Sequence, residues 1–418
     1  MPTRTLAGLL GQDDVSVYLR RIVASGRYGN AYLFHGPAGV GKGTAALAFA
    51  RAALCDHVPG AAPVTTRTLE ASPSLFGDAV TIPSPASELP LHPPGDDACG
   101  VCPACQKVAG LLHPDMYFLF PFSGEEKQLE QADSAYHETL NDLRKDPLHH
   151  FQYDKAASIR ISQTRELTKS LAYRPYEASR RLVVVRDCDR MREDQFSTLL
   201  KSIEEPGART IWVLTTSRLA RVPSTIRSRC QRVRFSPLSE ALIRDTLIAA
   251  AGVEAGEARM VAALSGGSLA RAIATRDEDP RLQRDAALAL LEPALSGDSA
   301  TLWAAARATM NFGRTGREAL RRLIEYHELW LRDVLRARYG AADEAFVNFD
   351  KIARIRELAA HIDAREIRRR LTVLEEALRS IDGNITADLT LFSTLARVGG
   401  RRLGEDAWPA HTAGRWDY

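Results

Sequence analysis

The chain has 418 residues, enough for two to four domains, and its 45% apolar and 26% charged content is that of a soluble globular protein. A formal net charge of +3 is too small to argue for nucleic-acid binding by itself. No window reaches the ~18 apolar residues of a membrane span, and the opening "MPTRTLAGLLGQDD" is broken by Asp13 and Asp14 before a signal-like run can form.

A cytosolic location with no membrane partner is therefore expected, where thiols stay reduced and six cysteines suit metal binding better than pairing. In chain order, Ala31–His35 reads as a short apolar strand, 36–41 as a glycine turn and 42–54 as a helix. "GPAGVGKGT" fits the phosphate-loop pattern G-x-x-x-x-G-K-[ST] from Gly36 to Lys42. The glycines let backbone N–H groups face phosphate oxygens, the helix adds its positive end, and Lys42 reaches the outer phosphates. The nucleotide-contacting positions are Gly36, Pro37, Gly39, Gly41, Lys42, Gly43 and Thr44. One of them departs from the pattern. Gly43 stands where a hydroxyl should hold magnesium, and Thr44 is turned about 100° away on the helix.

Residues 56–98 carry eight prolines and little periodicity, and read as a long irregular loop. Next, "CGVCPAC" places Cys99, Cys102 and Cys105 at C-x2-C-x2-C spacing, with Cys55 at the end of the phosphate-loop helix. Two-residue gaps aim neighbouring thiolates at one tetrahedral ion, so these four cysteines predict a closed, structural zinc site. The 43-residue gap is no obstacle, since loop-closure entropy grows only logarithmically. His57, His92 or His113 could replace Cys55 as fourth ligand, while Cys188 and Cys230 are expected to be small core residues. The insertion 123–158 contains an amphipathic helical pattern through Leu129, Tyr136, Leu140 and Leu143.

A second buried strand, 182–185, is followed by Arg186 and then Asp187, at the place where phosphate-loop proteins put a magnesium-holding aspartate. A one-residue slip would turn Asp187 to the other face of the strand. A guanidinium about 5 Å from a divalent ion costs on the order of 6 kcal/mol at an effective dielectric near 20. Hydrolysis of ATP with magnesium is therefore not expected, and metal-free nucleotide binding stays open. A helix over 192–204 carries Phe196, Leu199, Leu200 and Ile203 on one face, and 211–214 is a third strand ending at Thr215 and Thr216, expected to be hydrogen-bonding scaffold. Unbroken apolar strands separated by helices predict a parallel sheet covered on both faces. Arg180, Arg181, Arg218, Arg221, Arg232 and Arg234 read mainly as a solvated surface with some potential for DNA phosphates.

From Pro237 the pattern is helical only. "SEALIRDTLIAAAG" has Ser239 as cap and Gly252 as stop, a helix starts behind Ser268, and periodicity continues to Val398 with Leu302, Leu320, Leu323, Leu329 and Leu335 in the core. Residues 399–418 lack periodicity and are expected to be a disordered tail, although Trp408 and Trp416 would suit a docking peptide.

"HGPAGVGKGT", the cysteine cluster, "TLLKSIEEPG" and "PSTIRSRCQ" together resemble the bacterial DNA polymerase III clamp-loader subunits, over about 9–274. The resemblance implies an α/β P-loop (AAA+) domain with a parallel sheet and zinc-binding module over 1–236, a small helical lid over 237–290 and an all-α collar over 291–398. It also implies a ring with gamma or tau ATPase subunits and a delta subunit, acting on a sliding clamp and primer-template DNA. Gly43 and Arg186 place the chain nearer the delta-prime stator type than the motor type. Motor members carry an arginine directly after "GSL", where this chain has Ala270 and then Arg271. In this family the arginine of "SRC", here Arg229, reaches a neighbour's ATP, with Arg227 the backup candidate. From the residues alone, Arg229 could equally pair with Glu204 or Glu205. The alternatives are an active motor subunit and, from another class, a small-molecule P-loop kinase.

Overall fold

The computed structural model describes residues 5–57, 95–122, 129–145, 158–204, 209–275, 280–296, 299–309, 317–381 and 387–400. Most of the proline-rich loop, His92, Glu205 and the tail from 401 onward lie outside the described residues. The chain forms two compact units, 1–242 with 268–270, and 243–267 with 271–418.

The first unit runs α1 (Asp13–Ser25), β1 (Ala31–His35), α2 (Lys42–Ala53), α3 (Pro103–Ala109), β2 (Met116–Leu119), α4 (Leu129–Lys145) and α5 (Ile161–Leu171). It continues through β3 (Arg181–Val185), α6 (Glu193–Glu204), β4 (Thr210–Thr216), α7 (Ser224–Arg227) and β5 (Gln231–Arg234). The five strands form one sheet in the order β2-β3-β4-β1-β5, and every pairing is parallel. β1, β3 and β4 sit in its middle, and every residue of β3 and β4 is buried. That burial on both faces explains why these three read as unbroken apolar runs. One core holds Tyr32, Phe34 and Val184 with α2; the other holds Leu33, Val183 and Trp212 with Phe196, Leu199 and Ile203 of α6. Cys188 and Cys230 are buried in the second.

Two strands were not anticipated. β2 pairs only with β3, and β5 lies at the other edge with Val233 its one buried residue. The arginines also correct the sequence reading. Arg180 and Arg181 are buried, Arg180 stacked 4.1 Å from the Tyr28 ring centre and Arg181 donating to the Tyr173 carbonyl at 2.8 Å. In the insertion, Tyr136, Leu140 and buried Leu143 of α4 pack on Phe120 and Phe122.

The helices that follow are α8 (Glu240–Ala251), α9 (Ala255–Leu264), α10 (Leu269–Thr275), α11 (Pro280–Ser296), α12 (Ser299–Thr309), α13 (Arg317–Arg338), α14 (Ile352–His361), α15 (Ala364–Ile381) and α16 (Ala387–Val398). Leu302 and Leu320 are core residues, with Leu323 and Leu335 packed against them. Leu329 is only half-buried; Ile324, Trp330, Leu331 and Val334 fill the centre that α13 turns inward. No described helix is long and apolar enough to cross a membrane.

Candidate functional site

Because all strands are parallel, the C-terminal ends of β1, β3 and β4 open onto one edge of the sheet, the usual ligand edge of such folds. The loop 36–41 leaves β1 there. Gly36 is held against the Phe235 carbonyl, where a Cβ would come within 2.2 Å of the oxygen. Gly39 (φ +74°) sits beneath Ser268 and Ala270, whose N–H donates to the Gly39 carbonyl at 3.4 Å. At Gly36 the Phe235 backbone leaves no room for a side chain, and at Gly39 the positive φ and the close Ser268 and Ala270 side chains together favour glycine.

Lys42 is buried, and its ammonium donates to the Gly36 carbonyl at 2.8 Å and to the Pro37 carbonyl. Burial is the main force pushing its pKa down to about 8; Asp187 and Asp189 oppose it and Arg186 reinforces it. The cation thus lies folded along its own loop. Pro37, Gly41 and Thr44 complete the turn into α2, with Gly41 as its cap residue.

Arg186 lies where the sequence placed it. A Cβ on Gly43 would stand 3.8 Å from its Nε and 3.9 Å from its Cζ, so the guanidinium covers the first turn of α2. The Arg186 Nε is 3.8 Å from an Asp187 oxygen, and its backbone N–H donates to the Leu119 carbonyl at 2.8 Å. Asp187 does not prolong β3: its φ of 48° turns the chain, and its N–H donates to the Thr215 hydroxyl at 3.0 Å.

Asp189 was missed by sequence reasoning. Its buried carboxylate accepts from the Thr216 hydroxyl at 2.8 Å and faces the Arg218 Nε at 3.2 Å, while Thr216 also accepts from the Arg218 N–H at 3.0 Å. An acidic residue two positions past the strand-ending turn was the available signal. Thr215 and Thr216 thus tie the end of β4 to the turn after β3.

At the other end of α2 the four cysteines come together. Cys55 and Cys102 sulfurs are 3.9 Å apart, as are those of Cys99 and Cys105. A tetrahedron with zinc–sulfur bonds of about 2.3 Å has edges of roughly 3.8 Å, so the donors fit that ion. Backbone N–H groups of Cys99, Cys102 and Cys105 point to the sulfurs of Cys55, Cys99 and Cys102 at 3.5, 3.3 and 3.4 Å. His57 joins them: its donor atom and those of Cys55, Cys99 and Cys102 all lie within 4.8 Å of one another. Burial works to lower the His57 pKa, but the Cys99 and Cys102 sulfurs outweigh it and raise it. His113 lies elsewhere, 3.3 Å from Glu177.

Arg229 stands apart, between α7 and β5. Its side chain is 41% exposed and pairs with Glu204, and it donates to the Thr225 carbonyl at 3.0 Å. Arg227 is half-buried. Arg271 pairs with Glu325 at 2.8 Å within the second unit.

The family model that matches is described as "DNA polymerase III, delta subunit" and covers 11–70 and 85–239. The chain is 22% identical over 275 residues to the DNA polymerase III subunit tau of Bacillus subtilis, covering 65% of this chain and 37% of that one. With the gamma/tau subunit of Mycobacterium bovis it shares 25% identity over 421 residues, covering 94% and 61%. The subunit delta' of Escherichia coli is 25% identical over 344 residues, covering 79% and 87%. The chain thus spans from about a third to three fifths of the tau and gamma/tau relatives.

Proposed function

We propose, from the premise that the chain belongs to the family described as DNA polymerase III, delta subunit, that it is a stator of the delta-prime kind in a clamp loader. In this reading it joins gamma or tau ATPase subunits and a delta subunit, loads a sliding clamp on primer-template DNA, and splits no ATP itself. Similar identities to tau, gamma/tau and delta' relatives favour neither type. The observation that carries the choice is the Arg186 guanidinium lying over Gly43, a cation where a magnesium-holding hydroxyl and carboxylate would stand. A motor subunit would need another magnesium arrangement, and a nucleotide kinase leaves the cysteine cluster without a role.

Within the ring, Arg229 is the finger offered to a neighbour's ATP. Its pairing with Glu204 does not oppose this, because an exposed ion pair contributes only ~0–1 kcal/mol and is readily exchanged for phosphate. Residues 237–290 act as lid and 291–398 as collar. The cysteines hold one structural zinc, which when bound ties the end of α2 to α3 and leaves no open coordination position.

Two measurements test the reading. The purified chain should show no DNA-stimulated ATP turnover and no phosphoryl transfer to nucleosides. In the reconstituted loader, Arg229→Ala should leave the ring assembled and slow ATP hydrolysis at that interface by roughly 10³-fold. Unchanged turnover in an intact ring would refute the finger.

A further inference from the structure

We propose that the metal centre has a three-sulfur base, Cys55, Cys99 and Cys102, and two interchangeable fourth ligands, Cys105 and His57; this rests on the zinc reading above. Four of the five donors already form one quartet without Cys105, since the donor atoms of Cys55, His57, Cys99 and Cys102 are mutually within 4.8 Å. Cys105 approaches the same base from elsewhere, 3.9 Å from the Cys99 sulfur. Five donors exceed what a tetrahedral ion can use.

Each base sulfur accepts a backbone N–H from the next cysteine, which fixes the three in place. The Cys105 sulfur lies 3.9 Å from the Arg51 carbonyl oxygen. His57 is exposed, two residues beyond Cys55, so its ring can swing onto or off the ion without disturbing the buried base. With a metal bound, His57 would offer a neutral ring nitrogen in the place of the Cys105 sulfur, which would leave as a thiol with a proton from water; no electron would be transferred, and the ligand set would lose one negative charge. The chain can thus keep its metal when Cys105 is lost as a ligand.

The test is metal content of the full-length chain at fixed free zinc. Wild type should hold about one zinc per chain, and so should Cys105→Ser and His57→Ala, whereas the double variant should hold none. A nitrogen ligand should appear at the zinc absorption edge of Cys105→Ser and be absent from His57→Ala. Loss of zinc from Cys105→Ser alone, or retention by the double variant, would overturn the exchange while leaving the zinc reading intact. A wild-type chain without zinc would instead overturn that reading. If Cys105→Ser does not fold, His57→Ala, which alters an exposed side chain, decides: its apparent zinc affinity in a chelator competition should fall about twofold, the share of one of two equally used ligands, and an unchanged affinity overturns the proposal.

Discussion

At its N-terminal end α2 follows a glycine turn with phosphate-loop spacing, where Gly43 and Arg186 stand in place of the metal-holding hydroxyl and carboxylate of that pattern. At its C-terminal end the same helix delivers Cys55 into a cluster with more donors than a tetrahedral ion needs. The difference teaches that backbone shape and side-chain chemistry answer to separate constraints. Gly36 is required by the Phe235 carbonyl, and Gly39 is favoured by its positive φ and by Ser268, whatever the loop binds. Gly43 faces no such demand, since an added Cβ would meet Arg186 only at 3.8 Å. In the cluster the four sulfurs link the end of α2 to α3, beside the apolar packing of Leu54, Ala104 and Val108 and the Arg51 bond to the Gly100 carbonyl at 2.8 Å.

The largest expected effect breaks the second end. Cys55→Ser should release the metal and cost about 3 kcal/mol or more, lowering the unfolding midpoint by roughly 6–12 °C for a unit of this size. Calorimetry with metal analysis checks it. An unchanged midpoint would make the cluster as dispensable as the magnesium position at the other end.

Next comes the turn that holds Arg186 in place. Asp189→Ala removes the acceptor of the buried Thr216 hydroxyl and the partner of the 30% exposed Arg218 guanidinium, and should cost about 1–3 kcal/mol in denaturant unfolding. A near-neutral result would mean that the β3 turn is not fixed by this carboxylate, and would loosen the link between Arg186 and Gly43.

How far this site was readable depends on where each residue's partner comes from. β1, the start of α2 and β3 were legible because a glycine turn after an apolar run carries its own geometry. β5 was not: "QRVR" buries only Val233, and the segment is a strand because β1 offers Tyr32 to Gln231 and Phe34 to Val233. Asp189 was hidden for the same reason, since its partner Thr216 lies on a strand adjacent to β3 only in the folded sheet. The burial of Arg180 depends on Tyr28, about 150 positions away. The cysteine spacing was readable at once, but not the approach of His57, which depends on how the chain turns after Cys55.

A third effect follows from Lys42. Its folded pKa, about 8, lies below the ordinary 10.5, so the unfolded chain holds this proton more tightly. Stability should therefore rise with pH between about 8 and 10.5, by at most about 3 kcal/mol. Lys42→Met should remove that part of the rise, read as the difference between two denaturation series. Equal pH slopes in the two chains would mean that the ammonium is already solvated, leaving the phosphate loop more open than its carbonyl contacts imply.

The smallest expected effect sharpens the comparison most, because it asks whether a magnesium site can be built at this end. Gly43→Ser is sterically free: its Cβ would meet Arg186 only at ordinary contact distance, 3.8 Å. Alone it should gain nothing, since the guanidinium still repels magnesium. Arg186→Asp alone should also gain little, for want of the hydroxyl. Together they supply a hydroxyl and a carboxylate on the two sides of the ion, with the Arg186 backbone bond to Leu119 unaffected. The double variant should then bind ATP about tenfold tighter with magnesium than without, a gain of about 1.4 kcal/mol, while the wild-type chain shows no magnesium dependence. A wild-type chain that already prefers magnesium-ATP would mean that Arg186 swings clear of Gly43 when nucleotide arrives, and the two ends of α2 would no longer differ in kind.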